Sequence, residues 1–381
     1  MTSRAGNQNN LQVKGSGNPA SQPATASSSE MPIPLRFGAE LEVVTGSKKN
    51  KHKDWLPLAK ELSAELTQNG VNNHVNSKHD RSAENYSEWS IVDEKSIQNN
   101  PTGNQWGMEL VSPVLDYQKM NLWPGQFDRV WSVLANSFST SSTNQCSTHV
   151  HFSPRGAPWT LSQIQSIAKS VLYYERAIDS IMPFERRTNA WARSNRHNVL
   201  FLKEDMATLF HWIDSCTSLS QVAFYMCAFD KDSDYGRMDK ATEHFPHFVF
   251  RWNFTPLVEG TTGTIEFRQP PGSFKASDTK TWVNFGAAFI NAAVNHADKL
   301  APTQKADLKG FKIFLERGAW LAGLRSPGYF DHLFAQRPML PDGEIELNQA
   351  GIAHYMEVFK KAKQGSITQA KFKKLQQRVY K

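Results

Sequence analysis

Four short segments of this sequence share one pattern: a side chain that can ionise or ligate, a large apolar one, then another functional one. They are Glu40-Leu41-Glu42, His149-Val150-His151, Arg251-Trp252-Asn253 and Glu266-Phe267-Arg268. Side chains alternate across a β-strand, so the outer two of each triplet share a face, about 6.6 Å apart. Leu41, Val150, Trp252 and Phe267 then point the other way. Such alternation implies a sheet with one buried and one open face, the antiparallel habit, whereas strands covered on both faces run apolar throughout. The pattern predicts an α+β fold: a curved antiparallel β-sheet with helices on one face and an active-site cleft on the other.

Periodicity fills in the rest. Strands are expected over residues 35–43, 89–97, 108–115 (stopping at Pro113), 147–152, 248–254 and 263–269. Helices are expected over 55–69, 122–136, 162–182 and 279–296, with leucines or isoleucines at helical spacing and Gly70 or Pro183 as stops. Residues 183–243 mix aromatic and charged groups without a clear period. Residues 1–31 are rich in Ser, Asn, Gln, Gly and Ala and hold too few large apolar groups to offset ordering, so they read as a disordered tail. Residues 32–300 form the catalytic domain of this reading, and 301–381 a helical extension that turns basic at Lys371, Lys373, Lys374 and Arg378.

Of the 381 residues, 39% are hydrophobic and 11% aromatic, enough for a large packed interior. The formal charge of +7 is spread along the chain, which fits attraction to phosphate-bearing small molecules better than a nucleic-acid footprint. No apolar run is long enough to cross a bilayer, and no secretory signal stands at the N-terminus. Cys146, Cys216 and Cys227 form an odd set without a CxxC pair. A reducing, cytoplasmic location is the expectation.

Any one triplet is more simply a wetted strand face, and Arg251 and Arg268 could be paired by nearby acids. Together they are harder to dismiss. If the four strands are neighbours, one surface carries three carboxylates, two imidazoles, two guanidiniums and an amide. Such carboxylates and imidazoles repel or shift their pKa values unless a cation is shared. Oxygen ligands with one or two nitrogens suit Mg2+ or Mn2+, and the planar forks of arginine suit phosphate. Carboxylates for metal beside arginines for phosphate are the equipment of phosphoryl transfer from ATP. Glu109 on the MELVSP segment is a further candidate ligand.

FGAELEV, WSIVDEKS, ELVSPVL, CSTHVHFS, the long helix leading to PFERRTN, then RWNF and TIEFRQPPG arrive in an order that resembles the amidoligase family. That family belongs to the glutamine synthetase-like carboxylate–amine ligases. The resemblance covers about residues 35–297. It implies an amide-forming ligase using ATP and Mg2+ (or Mn2+), with small-molecule carboxylate and amine substrates. It implies that Glu40, His149 and Glu266 hold one metal, and Glu42 and Glu109 a second. His151, Arg268, Arg187 and Asn253 would meet the nucleotide. Arg268, Arg251 and Glu109 would be catalytic, while Asp93 and Ser96 would border the substrate pocket. One departure is the Ser147-Thr148 pair ahead of His149, where the family more often has Gly-Leu or similar. Homo-oligomers are known by analogy in the superfamily; nucleic acid and membrane are not expected partners. Three other readings stay open: a zinc hydrolase on Cys146, His149 and His151 with Glu266 as base, a non-catalytic nucleotide-binding protein, and a kinase that stops at phosphoryl transfer to a guanidine or carboxylate.

Overall fold

The computed structural model describes residues 30–78, 86–141, 143–258 and 262–363. Its spine is β1 (Leu35–Ser47), in which Leu35, Phe37, Ala39, Leu41 and Val43 are buried, as period-two alternation demands. Helix α1 (Trp55–Gln68) follows, its first turn capped by the Asp54 side chain. Next come β2 (Asn73–Val75), β3 (Trp89–Asp93), β4 (Trp106–Val111) and β5 (Leu115–Asp116). After α2 (Trp123–Ser137) the chain adds β6 (Phe138–Ser141) and β7 (Thr148–Pro154). A capping box of Thr160 and Gln163 starts the long α3 (Leu161–Ile181).

The stretch with no clear period is mostly helical: α4 (Phe184–Arg187), α5 (Met206–Ser215), α6 (Leu219–Met226) and α7 (Asp234–Met238), with β8 (Ala228–Phe229) and β9 (Phe245–Pro246) pairing off separately. Two short strands, β10 (Trp252–Asn253) and β11 (Ile265–Phe267), precede α8 (Ala276–His296). Helices α9 (Leu308–Leu321), α10 (Asp331–Phe334) and α11 (Gln349–Lys363) follow.

Among the described residues the main sheet has nine strands in the order β10-β11-β7-β1-β4-β3-β2, with β5 and β6 also pairing β1. All its pairings are antiparallel except one: β2 and β3 run parallel, so the sheet is mixed rather than antiparallel throughout. The triplet-bearing strands do stand side by side.

The expected strand over 248–254 is cut to two residues because its backbone is bonded elsewhere. His247 N–H donates to Cys227 O, and Arg251 N–H donates to Arg193 O. On the buried side, Phe285 of α8 stacks on Phe267 at 5.4 Å and Phe289 lies 5.0 Å from Trp252. The helix can come this close because position 286 is glycine: a Cβ there would sit 2.4 Å from the Phe152 ring. Gly318 does the same for α9, whose Cβ would strike the Ala288 carbonyl of α8.

From Met31 onward the described residues form one compact unit. Met31 and Asn295 exchange two hydrogen bonds. The expected disordered tail, Glu30 and Met31 apart, lies outside the described residues, as do Lys371, Lys373, Lys374 and Arg378. No helix among the described residues is long and apolar enough to cross a membrane.

Candidate active site

Register, not proximity in sequence, assembles the site. Glu40 lies opposite His149 on β7 and Val111 on β4, and Glu42 lies opposite Glu109. His151 faces Glu266 across the next pair, and Asn253 faces Glu266 on the other side. These residues, with Arg268, Asp93, Glu94 and Ser96, line a cleft of about 700 Å³. Leu41, Val150, Trp252 and Phe267 all enter the hydrophobic core instead.

One side of the cleft balances its charges. Glu40 Oε2 is 3.1 Å from His149 Nδ1, and its Oε1 is 3.1 Å from His151 Nε2. Glu266 Oε1 lies 3.6 Å from a nitrogen of each imidazole and accepts a hydrogen bond from Arg268 Nη1, while its Oε2 accepts one from Asn253 at 2.7 Å. Burial works to raise both carboxyl pKa values. His151 and His149 nevertheless hold Glu40 well below the usual carboxylate range, and Arg268 and His151 hold Glu266 low. The same partners act in return. Burial opposes charge on His151 and Arg268, but Glu266 and Glu40 raise the pKa of each.

The other side does not balance. Glu42, Glu94 and Glu109 each present an oxygen within 4.8 Å of the others. Burial, then the Glu42 charge, pushes the Glu94 carboxyl up to about 7. Burial and the charges of Glu40, Glu94 and Glu42 push Glu109 well above the normal range. Glu42 is kept in place by Ser147, whose N–H (2.7 Å) and hydroxyl both donate to Glu42 Oε2. Since that hydroxyl gives its proton to Glu42, it accepts from His149 Nε2 at 2.7 Å, which leaves His149 Nδ1 turned toward Glu40.

Two other groups could hold a cation by the same distance criterion: Glu40 with Glu109 and His149, and Glu40 with His151 and Glu266. Glu40 belongs to both. A family model described as Putative amidoligase enzyme matches residues 33–290. The chain belongs to that family. The amidoligase match takes in every cleft-lining residue, from Arg36 to Arg268, and ends inside α8, before α9, α10 and α11. No curated protein matches the chain.

Not every residue singled out in the sequence reaches the amidoligase cleft. Arg251 is absent from its lining: its Nη1 is 3.0 Å from both Glu175 and Asp179 of α3, and its Nη2 donates to Arg187 O. Burial raises the Asp179 carboxyl to about 6 despite Arg251 beside it. Arg187 is also off the lining, its guanidinium 5.7 Å from the Phe184 ring. The neighbouring Arg186 takes the cleft position, buried and donating to the carbonyls of Gln269 and Arg268. Burial lowers its pKa to about 10, against the pull of Glu42. Cys146 packs with Val44 and Ile97 and joins none of the metal-competent groups among the described residues.

Three residues were missed. Glu94 continues the alternation Ser90, Val92, Glu94 within WSIVDEKS, a signal that was available in the sequence. Ser147 carries the same signal, two residues before His149 in the strand expected over 147–152, whereas Arg186 carries none.

Proposed function

We propose that the chain is an ATP-dependent carboxylate–amine ligase that forms an amide through an acyl phosphate, on a glutamine synthetase-like catalytic domain. The observation that carries this is the convergence of Glu40, His149, His151, Glu266 and Arg268 next to the acidic trio of Glu42, Glu94 and Glu109 in one cleft. Family membership supports an amide-forming enzyme.

The residues fit a hard divalent cation. The donor set is carboxylate oxygen with imidazole nitrogen, which suits Mg2+ or Mn2+. The raised carboxyls of Glu94 and Glu109 are what crowded acids do until a cation is shared among them. Glu40 with His149, His151 and Glu266 would hold one ion, and Glu42, Glu94 and Glu109 a second. A bound divalent cation neutralises charge on phosphate oxygens and aligns the attack on phosphorus.

Arg268 faces the anion. It is 9% exposed, and its Nε has no hydrogen-bond partner among the described residues. A phosphate oxygen would satisfy that donor. The substrate carboxylate oxygen attacks the terminal phosphorus and ADP leaves. The amine nitrogen then attacks the acyl carbon, phosphate leaves with the bonding pair, and the nitrogen gives up its proton. The chain's contribution is preorganised charge in a sheltered cleft. A zinc hydrolase loses support because Cys146 stands with Val44 and Ile97. The cytoplasmic location stays part of this proposal, in keeping with three buried cysteines that form no disulfide with one another.

The test is an ADP-release screen of amino acids and polyamines with ATP and Mg2+, with mass spectrometry of the products. An amide formed with equimolar ADP is the expected result. ATP turnover that yields only a phosphorylated product would reduce the protein to a kinase and end the ligase reading.

A further inference from the structure

Helix α11 begins nearly sixty residues past the end of the amidoligase match, yet it touches three of the segments that build the cleft. At its start, Asn348 N–H donates to Thr188 O at 2.9 Å. Midway, Tyr355 and Phe359 pack on Trp191 with ring centroids 4.8 and 5.3 Å away, and Trp191 lines the cleft. Phe359 also lies 6.1 Å from Phe248, the ring over which the Arg268 guanidinium sits at 5.4 Å. Tyr355 is fully buried. On the opposite rim, His354 Nε2 lies 2.6 Å from the carbonyl oxygen of Ser96, and since a carbonyl only accepts, that nitrogen carries the proton.

The Ser96 contact matters because of where this loop stands. Strand β3 ends at Asp93, so residues 94–97 leave the ladder just where Glu94 turns into the acidic trio. Two hydrogen bonds close the turn on itself. Ser96 N–H donates to Glu94 Oε1 at 2.7 Å and Ile97 N–H donates to Glu94 O at 3.2 Å. These shape the turn, and its two ends are held to the sheet: Glu94 N–H donates to Gly107 O of β4 at 3.5 Å, and Ile97 packs with Val44 and Cys146. Ser96, between them, is the point that α11 reaches. The bond from His354 spans 258 residues and ties the turn to a helix anchored by the buried Tyr355 ring.

We infer that α11 is a strap across the cleft and that His354 is a positioning residue, holding the loop of residues 94–97 so that the Glu94 carboxylate meets Glu42 and Glu109. The strap itself needs only the contacts above; its catalytic consequence rests on the ligase reading. A merely structural histidine would stabilise the whole fold and leave the loop no more exposed than its neighbours. A tether acts locally, through one donated hydrogen bond, and any side chain able to donate from the same place should replace it.

The experiment is hydrogen exchange followed by mass spectrometry on the full chain and on His354→Ala and His354→Gln. His354→Ala should speed exchange of the peptide covering residues 93–98 about tenfold, the change that one hydrogen bond supports. The peptide covering β7 should not change, and His354→Gln, whose amide can still donate, should restore most of the protection. In the ADP-release assay, His354→Ala should raise KM for the substrates about tenfold while kcat changes little. If the wild-type chain releases no ADP, the ligase reading fails and the exchange data still decide the tether. Unchanged exchange over 93–98 in His354→Ala, or equal acceleration in β7, overturns the strap.

Discussion

The two walls of the cleft are both built on glutamate, and they differ in what stands beside it. Glu40 and Glu266 are interleaved with His151 and His149 and capped by Arg268, so burial does not stop them from ionising. Glu42, Glu94 and Glu109 face one another; His149 Nε2 comes within 3.7 Å of Glu42, yet burial and the neighbouring carboxylates still drive Glu94 and Glu109 toward the protonated form. One wall of the cleft is thus a finished electrostatic unit. The other is a unit that protons complete at low pH and a divalent cation would complete at high pH. Neighbouring rungs of one sheet reach opposite states because strand register decides which side chains become neighbours.

The largest expected effect comes from unbalancing the finished wall. Glu266→Gln keeps the shape but removes the charge that faces Arg268 and both imidazoles. Amine-dependent ADP release should fall about 10³-fold, or roughly 4 kcal/mol of transition-state stabilisation. A near-wild-type rate would mean that the two walls do not differ in function. Steady-state kinetics with Mg2+ decides this, with circular dichroism to check that the variant is folded.

The second effect is a divided pH profile of stability in the presence of a chelator. Glu40 and Glu266 have folded pKa values below the usual 4.5, so their contribution is present above that value and lost as pH falls through the lowered one. Glu94 and Glu109 have raised values. Between pH 4.5 and about 7 the folded state holds more protons than the unfolded, so stability falls as pH rises. Up to about 3 kcal/mol should be lost across that window through Glu94, judged from its shift. Urea titrations from pH 4 to 8 would show it, and Glu94→Gln should make the upper limb shallower, the remainder coming from Glu109. A wild-type profile already flat there would sink the unbalanced-wall account. Somewhat smaller is the response to metal: at about 100 times its Kd, Mn2+ should restore about 2.7 kcal/mol at pH 7.5, and less in Glu94→Gln. Calorimetry with Mn2+ alone measures the affinity. No stabilisation by the ion would remove the cation from both walls.

How much of this was legible beforehand follows from which properties are local. A period of two is local, so the shared face of Glu40 and Glu42, of His149 and His151, and of Glu266 and Arg268 could be read directly. Arg251 fails the same test because it sits one residue before β10, where its backbone N–H is bonded to Arg193 and its guanidinium turns to the acids of α3. Glu94 lies one residue past β3, and nothing near it in sequence announces Glu42 or Glu109; strand order brings them together. Arg186 and Arg187 are neighbours on a helix, about 100° apart, so a motif covering both cannot say which one faces the cleft. The role of α11 was hidden because Tyr355 and Phe359, four residues apart, look like any buried helix stripe.

The smallest prediction concerns a residue that belongs to neither wall. A Cys-His-His zinc site would make Cys146 indispensable to metal binding, since losing one of three ligands weakens a zinc site severely. In the structure its sulfur lies 3.6 Å from the Thr143 hydroxyl, and the residue packs with Val44 and Ile97. Cys146→Ala should therefore act only through packing, costing about 1 kcal/mol. Mn2+ affinity and ADP release should match the wild type, and the purified protein should hold no stoichiometric zinc by elemental analysis. Zinc present in the wild type and lost from the variant would reverse the argument. His149 would then be shared with a thiolate instead of serving Glu40 and Glu266, and the balanced wall would have to be rebuilt around a different ion.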